Sequence, residues 1–219
     1  MTDTALIILE SQWWNLDENP GGASVLDSFR CLERLRDDFK IYHATFSSGK
    51  SLEDALAGLV INERYDRHLV YIAAHGNHRT VGHMHLTNLL CILKGYATVA
   101  NIEGVIIGSC FVGEHTQEFI RTVTGNTIVW IMAYKGAVDW LKSTHINVEV
   151  VNRMLDLDDT DVRDGSLIFE KYSAALECYD LDYQFFAQDK NGNPMSLRNS
   201  LSLIIQPKGV GNRPMEMRL

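Results

Sequence analysis

No two of the four cysteines, Cys31, Cys91, Cys110 and Cys178, form a CxxC pair, and none joins a histidine at zinc-ligand spacing. A disulfide framework serves small secreted chains with little core, whereas 219 residues suffice for a substantial one. The thiols therefore read as reduced, and a cytoplasmic setting is expected. Basic excess is missing too. The formal net charge is −8, which excludes the electrostatic footprint of a nucleic-acid binder and disfavours an anionic membrane surface. No apolar run nears the length of a membrane-spanning helix, and the start, MTDTALIILE, lacks the basic region of a signal peptide. Repeats and linkers are absent. One domain over residues 1–219 is expected, with a poorly ordered tail from about 207.

What is present is a series of short Val/Ile-rich runs stopped by turn residues. Ala5–Leu9, Ile41–Phe46, His68–Ala74, Val105–Ser109, Thr127–Ala133 and Leu201–Ile205 read as six strands. Between them, Ala23–Asp38 repeats apolar residues at helical spacing, and Ser51 with Asp54 begins a second helix as a weak capping box. Thr87 is expected to cap a third helix, and Glu114–Thr124 forms a fourth. Val138–Leu157 and Ser166–Gln188 read as long helices separated by DLDDTDVRDG, whose five aspartates and Arg163 predict a mobile, exposed break. This order demands a mostly parallel α/β sheet with helices on both faces. Trp13 and Trp14, in the loop before Pro20-Gly21-Gly22, read as packing or rim residues.

Two runs end in reactive residues. HLVYIAAHG closes on His75-Gly76 and EGVIIGSC closes on Cys110. In an open α/β sheet ligands bind at the carboxyl ends of the strands, so a base and a nucleophile would face one crevice if these strands are neighbours. Gly108 and Gly113 flank Cys110, and a helix soon after it carries an amino-terminal dipole that favours a thiolate. His78, His83 and His85 lie in the excursion after His75, but no acid or thiol accompanies them at ligand spacing. Neither a metal nor a cofactor is expected.

The joint pattern, Tyr71-Ile72-Ala73-Ala74-His75-Gly76 followed by Val105-Ile106-Ile107-Gly108-Ser109-Cys110 and Phe111-Val112-Gly113, resembles the caspase-like (clan CD) cysteine peptidases. That superfamily includes metacaspases, gingipain-like and clostripain-like enzymes, separases and bacterial CHAT proteases. The last of these, with bacterial caspase-like enzymes, give the closest likeness. The resemblance covers residues 5–140 well and the remainder loosely. It implies a three-layer sandwich around a central sheet of about six strands. It also implies a catalytic dyad without an obligatory third acid, with Cys110 as nucleophile and His75 as general acid towards the leaving amine. The backbone N–H groups of Gly76 and Cys110 would form the oxyanion hole. The segment after the fifth strand would line a specificity pocket, with Asp139 at its base and Tyr134 and Trp140 as walls. A basic residue at the cut site follows from that acid, unless Asp139 merely caps the helix beginning near Val138. The Q-A-C-x-G signature of animal caspases is missing, so aspartate specificity is not expected.

The implied function is a cysteine endopeptidase acting on a protein or peptide. The resemblance further implies a bacterial immune or cell-death pathway, under a separate sensor or regulatory protein. Two rivals stand beside it. One is a catalytically silent caspase-like scaffold or binding module. The other is a flavodoxin-like phosphate binder, which needs a Gly- or Ser/Thr-rich loop after the first strand. Glu10–Asn19 offers two tryptophans and three acids instead, a composition that repels phosphate.

Overall fold

The computed structural model describes residues 3–12, 24–60 and 65–219. Trp13, Trp14 and the Pro20-Gly21-Gly22 turn lie outside the described residues. The chain starts with β1 (Thr4–Ser11), α1 (Leu26–Leu35), β2 (Phe39–Phe46), α2 (Gly49–Val60) and β3 (Arg67–Ala73). After β3 come three two-residue strands, β4 (Gly76–Asn77), β5 (Thr80–Val81) and β6 (Met84–His85), then α3 (Leu86–Ala97) and β7 (Ile102–Gly108). A 3-10 turn (Val112–Glu114), α4 (Thr116–Val123), β8 (Trp130–Tyr134), β9 (Ala137–Val138) and α5 (Trp140–Met154) follow. The last part holds a 3-10 turn (Asp161–Arg163), α6 (Gly165–Ala174), β10 (Ala187–Gln188), β11 (Pro194–Met195), α7 (Leu197–Ser200), β12 (Leu201–Ile205) and β13 (Met215–Met217).

Seven strands form the central sheet in the order β13-β12-β8-β7-β3-β1-β2. β2, β1, β3, β7 and β8 are mutually parallel, while β12 runs antiparallel to both β8 and β13. β1, β3, β7 and β8 are buried on both faces and need apolar residues at nearly every position, which is why these runs do not alternate in polarity. The edge strand β2 is largely half-exposed. Alternation survives as a choice of partner. Leu6, Ile8, Tyr71 and Ile106 pack on the face covered by α1, α5 and α6. Ile7, Leu9, Val70, Ile72, Val105 and Ile107 pack on the opposite face, under α2, α3 and α4. The result is three layers, with the chain reversing its direction of travel across the sheet between β1 and β3. The crevice at the carboxyl ends of the strands opens at such a reversal.

Several local expectations change. The capping box of α2 sits one turn earlier than the sequence suggests. Ser48 precedes the helix and accepts from Ser51 N at 3.2 Å, while Ser51 Oγ accepts from Ser47 N and Ser48 N at 2.9 Å each. At α3 the cap position falls to His85, not Thr87, and Leu86 N is satisfied by Arg79 O at 2.8 Å. The tail expected to be poorly ordered supplies β13, because β12 would otherwise leave one edge unpaired. The acidic break is likewise built. Asp158 accepts from Thr160 N, Asp161 N and the Thr160 hydroxyl, and Val162 is buried with its carbonyl taken by Lys208 N. The helix read as Ser166–Gln188 stops at Ala174, since Ala187–Gln188 is drawn into a small antiparallel sheet with β9 and β11.

Candidate active site

β3 and β7 lie side by side in register, Ile72 opposite Ile107 and Ala73 opposite Gly108. The residue two beyond each strand end is His75 on one and Cys110 on the other, so equal strand length brings base and thiol to adjoining turns. Ser109 fixes the junction: its buried hydroxyl donates to Ala74 O at 2.8 Å, tying together the residues that precede the two candidates. Gly76 faces the same turn. A β-carbon there would overlap the amide nitrogen and carbonyl oxygen of Cys110, so only glycine lets these two backbones approach. Gly76→Ala is accordingly expected to displace the Cys110 turn and lower peptide hydrolysis about a hundredfold with the fold retained. Comparable rates in the two proteins would remove this contact from the argument.

The turn after the thiol is strained. Phe111 adopts a left-handed conformation at φ 66°, uncommon for a residue with a β-carbon. Its amide donates to Gly136 O at 3.2 Å, and its ring stacks on His78 with centroids 5.0 Å apart. His78 Nδ1 lies 3.5 Å from Glu114 Oε2, which ties the β4–β6 excursion to the turn below Cys110. The histidines at 78, 83 and 85 do not converge: among the described residues no group of three His, Cys, Asp or Glu is placed to hold a metal ion.

Cys110 is half-buried, and burial pushes its thiol pKa up. The backbone N–H groups of Val138 and of Cys110 itself favour the thiolate and offset burial only in part. The dipole argument from the sequence is therefore corrected. A 3-10 turn, not a helix, follows the thiol, and α4 begins only at Thr116. Alkylation of Cys110 by iodoacetamide, followed by peptide mass spectrometry, should keep accelerating beyond pH 9, the ordinary thiol value. A plateau reached near pH 7 would mean a preformed thiolate and contradict this.

His75 and Cys110 open on one cavity of about 120 Å³. Among the described residues its walls include Val25, Tyr71, Gly108, Val138, Trp140 and Ser143. Of the expected pocket residues only Trp140 is here. Tyr134 is fully buried beneath the sheet end, its hydroxyl donating to Asn147 Oδ1 at 2.7 Å. Asp139 is exposed and caps α5, accepting from Lys142 N at 3.0 Å. It lines a neighbouring concavity with Lys142, Phe185, Phe186 and Pro194 that, among the described residues, shares only Val138 with the first. An exposed carboxylate already serving as a cap is not the base of a desolvated pocket, so that expectation is withdrawn. Val25, Tyr71 and Ser143 were missed. Strand alternation does put Tyr71 and Ala73 on one face, but nothing in the sequence carries Val25 or Ser143 to that crevice.

A mostly parallel seven-stranded sheet, helices on both faces, and a His and a Cys closing adjacent strands make this a chain of caspase-like fold, the fold of clan CD cysteine proteases. The particular structures it is similar to are C11, clostripain-like proteases. One is a secreted C11 cysteine protease from Bacteroides thetaiotaomicron in complex with an irreversible peptide inhibitor. It matches at a TM-score of 0.58 and 9% identity, over 92% of this chain and 66% of that one. A second structure of a secreted C11 protease from that organism, iotapain, matches at 0.55 and 7% identity, over 93% and 66%. This chain thus spans about two thirds of their length. No family model matches the sequence, and no curated protein does.

Proposed function

We propose that the chain is a cysteine endopeptidase that cuts peptide bonds through His75 and Cys110. The observation that carries this reading is the pair's shared cavity at the carboxyl ends of two neighbouring parallel strands, where an α/β sheet does its chemistry. Cys110 Sγ attacks the carbonyl carbon of the peptide bond as its proton passes to His75. The carbonyl oxygen becomes negative, and the Gly76 and Cys110 amides are the proposed donors to it. Collapse breaks the C–N bond, and His75 returns the proton to the leaving amine. Water then adds to the thioester as His75 takes its proton, the C–S bond breaks, the acid leaves, and the proton returns from His75 to Sγ. The raised resting thiol fits a site in which the proton transfer accompanies attack.

That same raised thiol is what favours the alternative, a catalytically silent scaffold. Digesting a denatured proteome with wild type and with Cys110→Ala, then mapping new termini by mass spectrometry, separates the two. Termini that appear only with wild type are expected; identical maps would establish the scaffold. A reducing compartment for this chain is supported by four cysteines of which none is paired. No helix among the described residues is long and apolar enough to cross a membrane.

A further inference from the structure

Apart from His75 and Cys110, the described residues that line the cavity beside the thiol are apolar or uncharged. The Tyr71 ring forms its floor, and Gly108 is small because a β-carbon there would stand 2.7 Å from that ring. The Tyr71 hydroxyl is engaged from behind, accepting from Asn147 Nδ2 at 3.1 Å. Ser143 is buried and its hydroxyl donates to Trp140 O at 3.0 Å. Val25, Val138 and Trp140 complete the walls. Among the described residues no carboxylate, amine or guanidinium lines the space.

Glu10 is the acid behind this wall. It is fully buried, and both its oxygens are occupied: Oε1 accepts from Val25 N at 2.8 Å, while Oε2 accepts from Ser24 Oγ at 2.7 Å and lies 2.7 Å from His43 Nε2. Glu10 therefore holds Val25 in place as a wall, and does not offer itself to a substrate. A charged side chain entering the cavity would shed its water, and among the described residues no carboxylate, amine or guanidinium lines the space to pair with it. An aliphatic one would exchange water for Tyr71, Val25 and Trp140.

We propose, resting on the peptidase reading above, that the acyl-side residue of the cut bond is uncharged and aliphatic, leucine or smaller. Size sets the upper limit. An apolar cavity of about 150 Å³ takes a benzene-sized group, and this one, at about 120 Å³, is smaller. The preference for Arg or Lys read from Asp139 is replaced by this one, because Asp139 lies in the other concavity.

The test is a set of coumarin-amide peptides identical except at the cut residue, which is Ala, Leu, Phe, Arg, Lys or Asp. With wild-type protein, kcat/KM for Leu or Ala should exceed that for Arg, Lys and Asp by about a hundredfold or more. Trp140→Ala, which enlarges the cavity, should raise Phe relative to Leu. Ser143→Asp, which puts a carboxylate on the wall, should raise Arg relative to Leu. Arg, Lys or Asp cut as well as Leu by wild type would overturn the proposal and leave the peptidase reading standing. Cleavage of no peptide, together with identical proteome maps for wild type and Cys110→Ala, would overturn both. If Ser143→Asp fails to fold, the wild-type series and Trp140→Ala still decide the matter.

Discussion

Cys110→Ala and His75→Ala should each lower peptide hydrolysis by about three orders of magnitude or more, and the double variant should be scarcely worse than either. A nucleophile and its proton-transfer partner act as a unit, so losing one removes what the other contributes. The fold should survive both changes. Cys110 is half-buried and gives up one sulfur, while His75 is exposed at the mouth of the crevice. Thermal midpoints within a few degrees of wild type would establish that the loss is chemical. Cys31, Cys91 and Cys178 are exposed on other parts of the chain, and Ser replacements there should leave hydrolysis intact. Near wild-type hydrolysis by Cys110→Ala would end the dyad mechanism outright, whatever the stability data.

The parallel strands were legible because burial on both faces leaves the same mark in the sequence as in the sheet. Val70, Ile72, Val105 and Ile107 must be apolar wherever α2, α3 and α4 cover them. His75 and Cys110 were legible for a related reason: His75 is the first polar break after one such run, and Cys110 directly follows Ser109, the first polar break after the other. The short alternating pieces around Gly82 read as a small hairpin, and β5 and β6 do pair there, whereas the two-residue strands β9–β11 left no mark. Pairing such as Ala187 with Val138 is decided by where the sheet has already carried both segments, not by local preference. The same competition shortened the helix after Gly165. It ends at Ala174, and further on Asp182 pairs with Arg198 at 3.0 Å while Ala187 joins β9. Asp139 shows how a correct local signal yields to a wrong functional one. Its position before an amphipathic run predicts a cap, and a cap is what the chain uses it for.

Arg67 is the residue just before the strand read as His68–Ala74, and its replacement should produce a large loss of stability. It is buried at the opposite end of the sheet from the crevice and holds four segments together. Nε donates to Thr4 Oγ1 at 2.7 Å, Nη1 to Leu157 O at 2.5 Å and Nη2 to Leu155 O at 2.7 Å. Glu103, also buried, lies 3.7 Å from Nη1 and is bonded on its other oxygen by Lys208. Arg67→Met keeps the apolar stem but strands two carbonyls and leaves Glu103 to Lys208 alone. Removing one member of a buried charge cluster costs about 3–5 kcal/mol, far above the value of an exposed pair. For a chain of this size that is a fall in Tm of roughly 6–20 °C. Arg67→Lys should fall in between, because a single ammonium cannot span three acceptors arranged for a planar fork. Hydrolysis measured well below the lowered midpoint should stay close to wild type, since the dyad stands at the far ends of β3 and β7. A Tm for Arg67→Met within 2 °C of wild type would show that the cluster's desolvation cost about equals what its bonds contribute, and that the α1, α5 and α6 side of the core holds this end of the sheet without it.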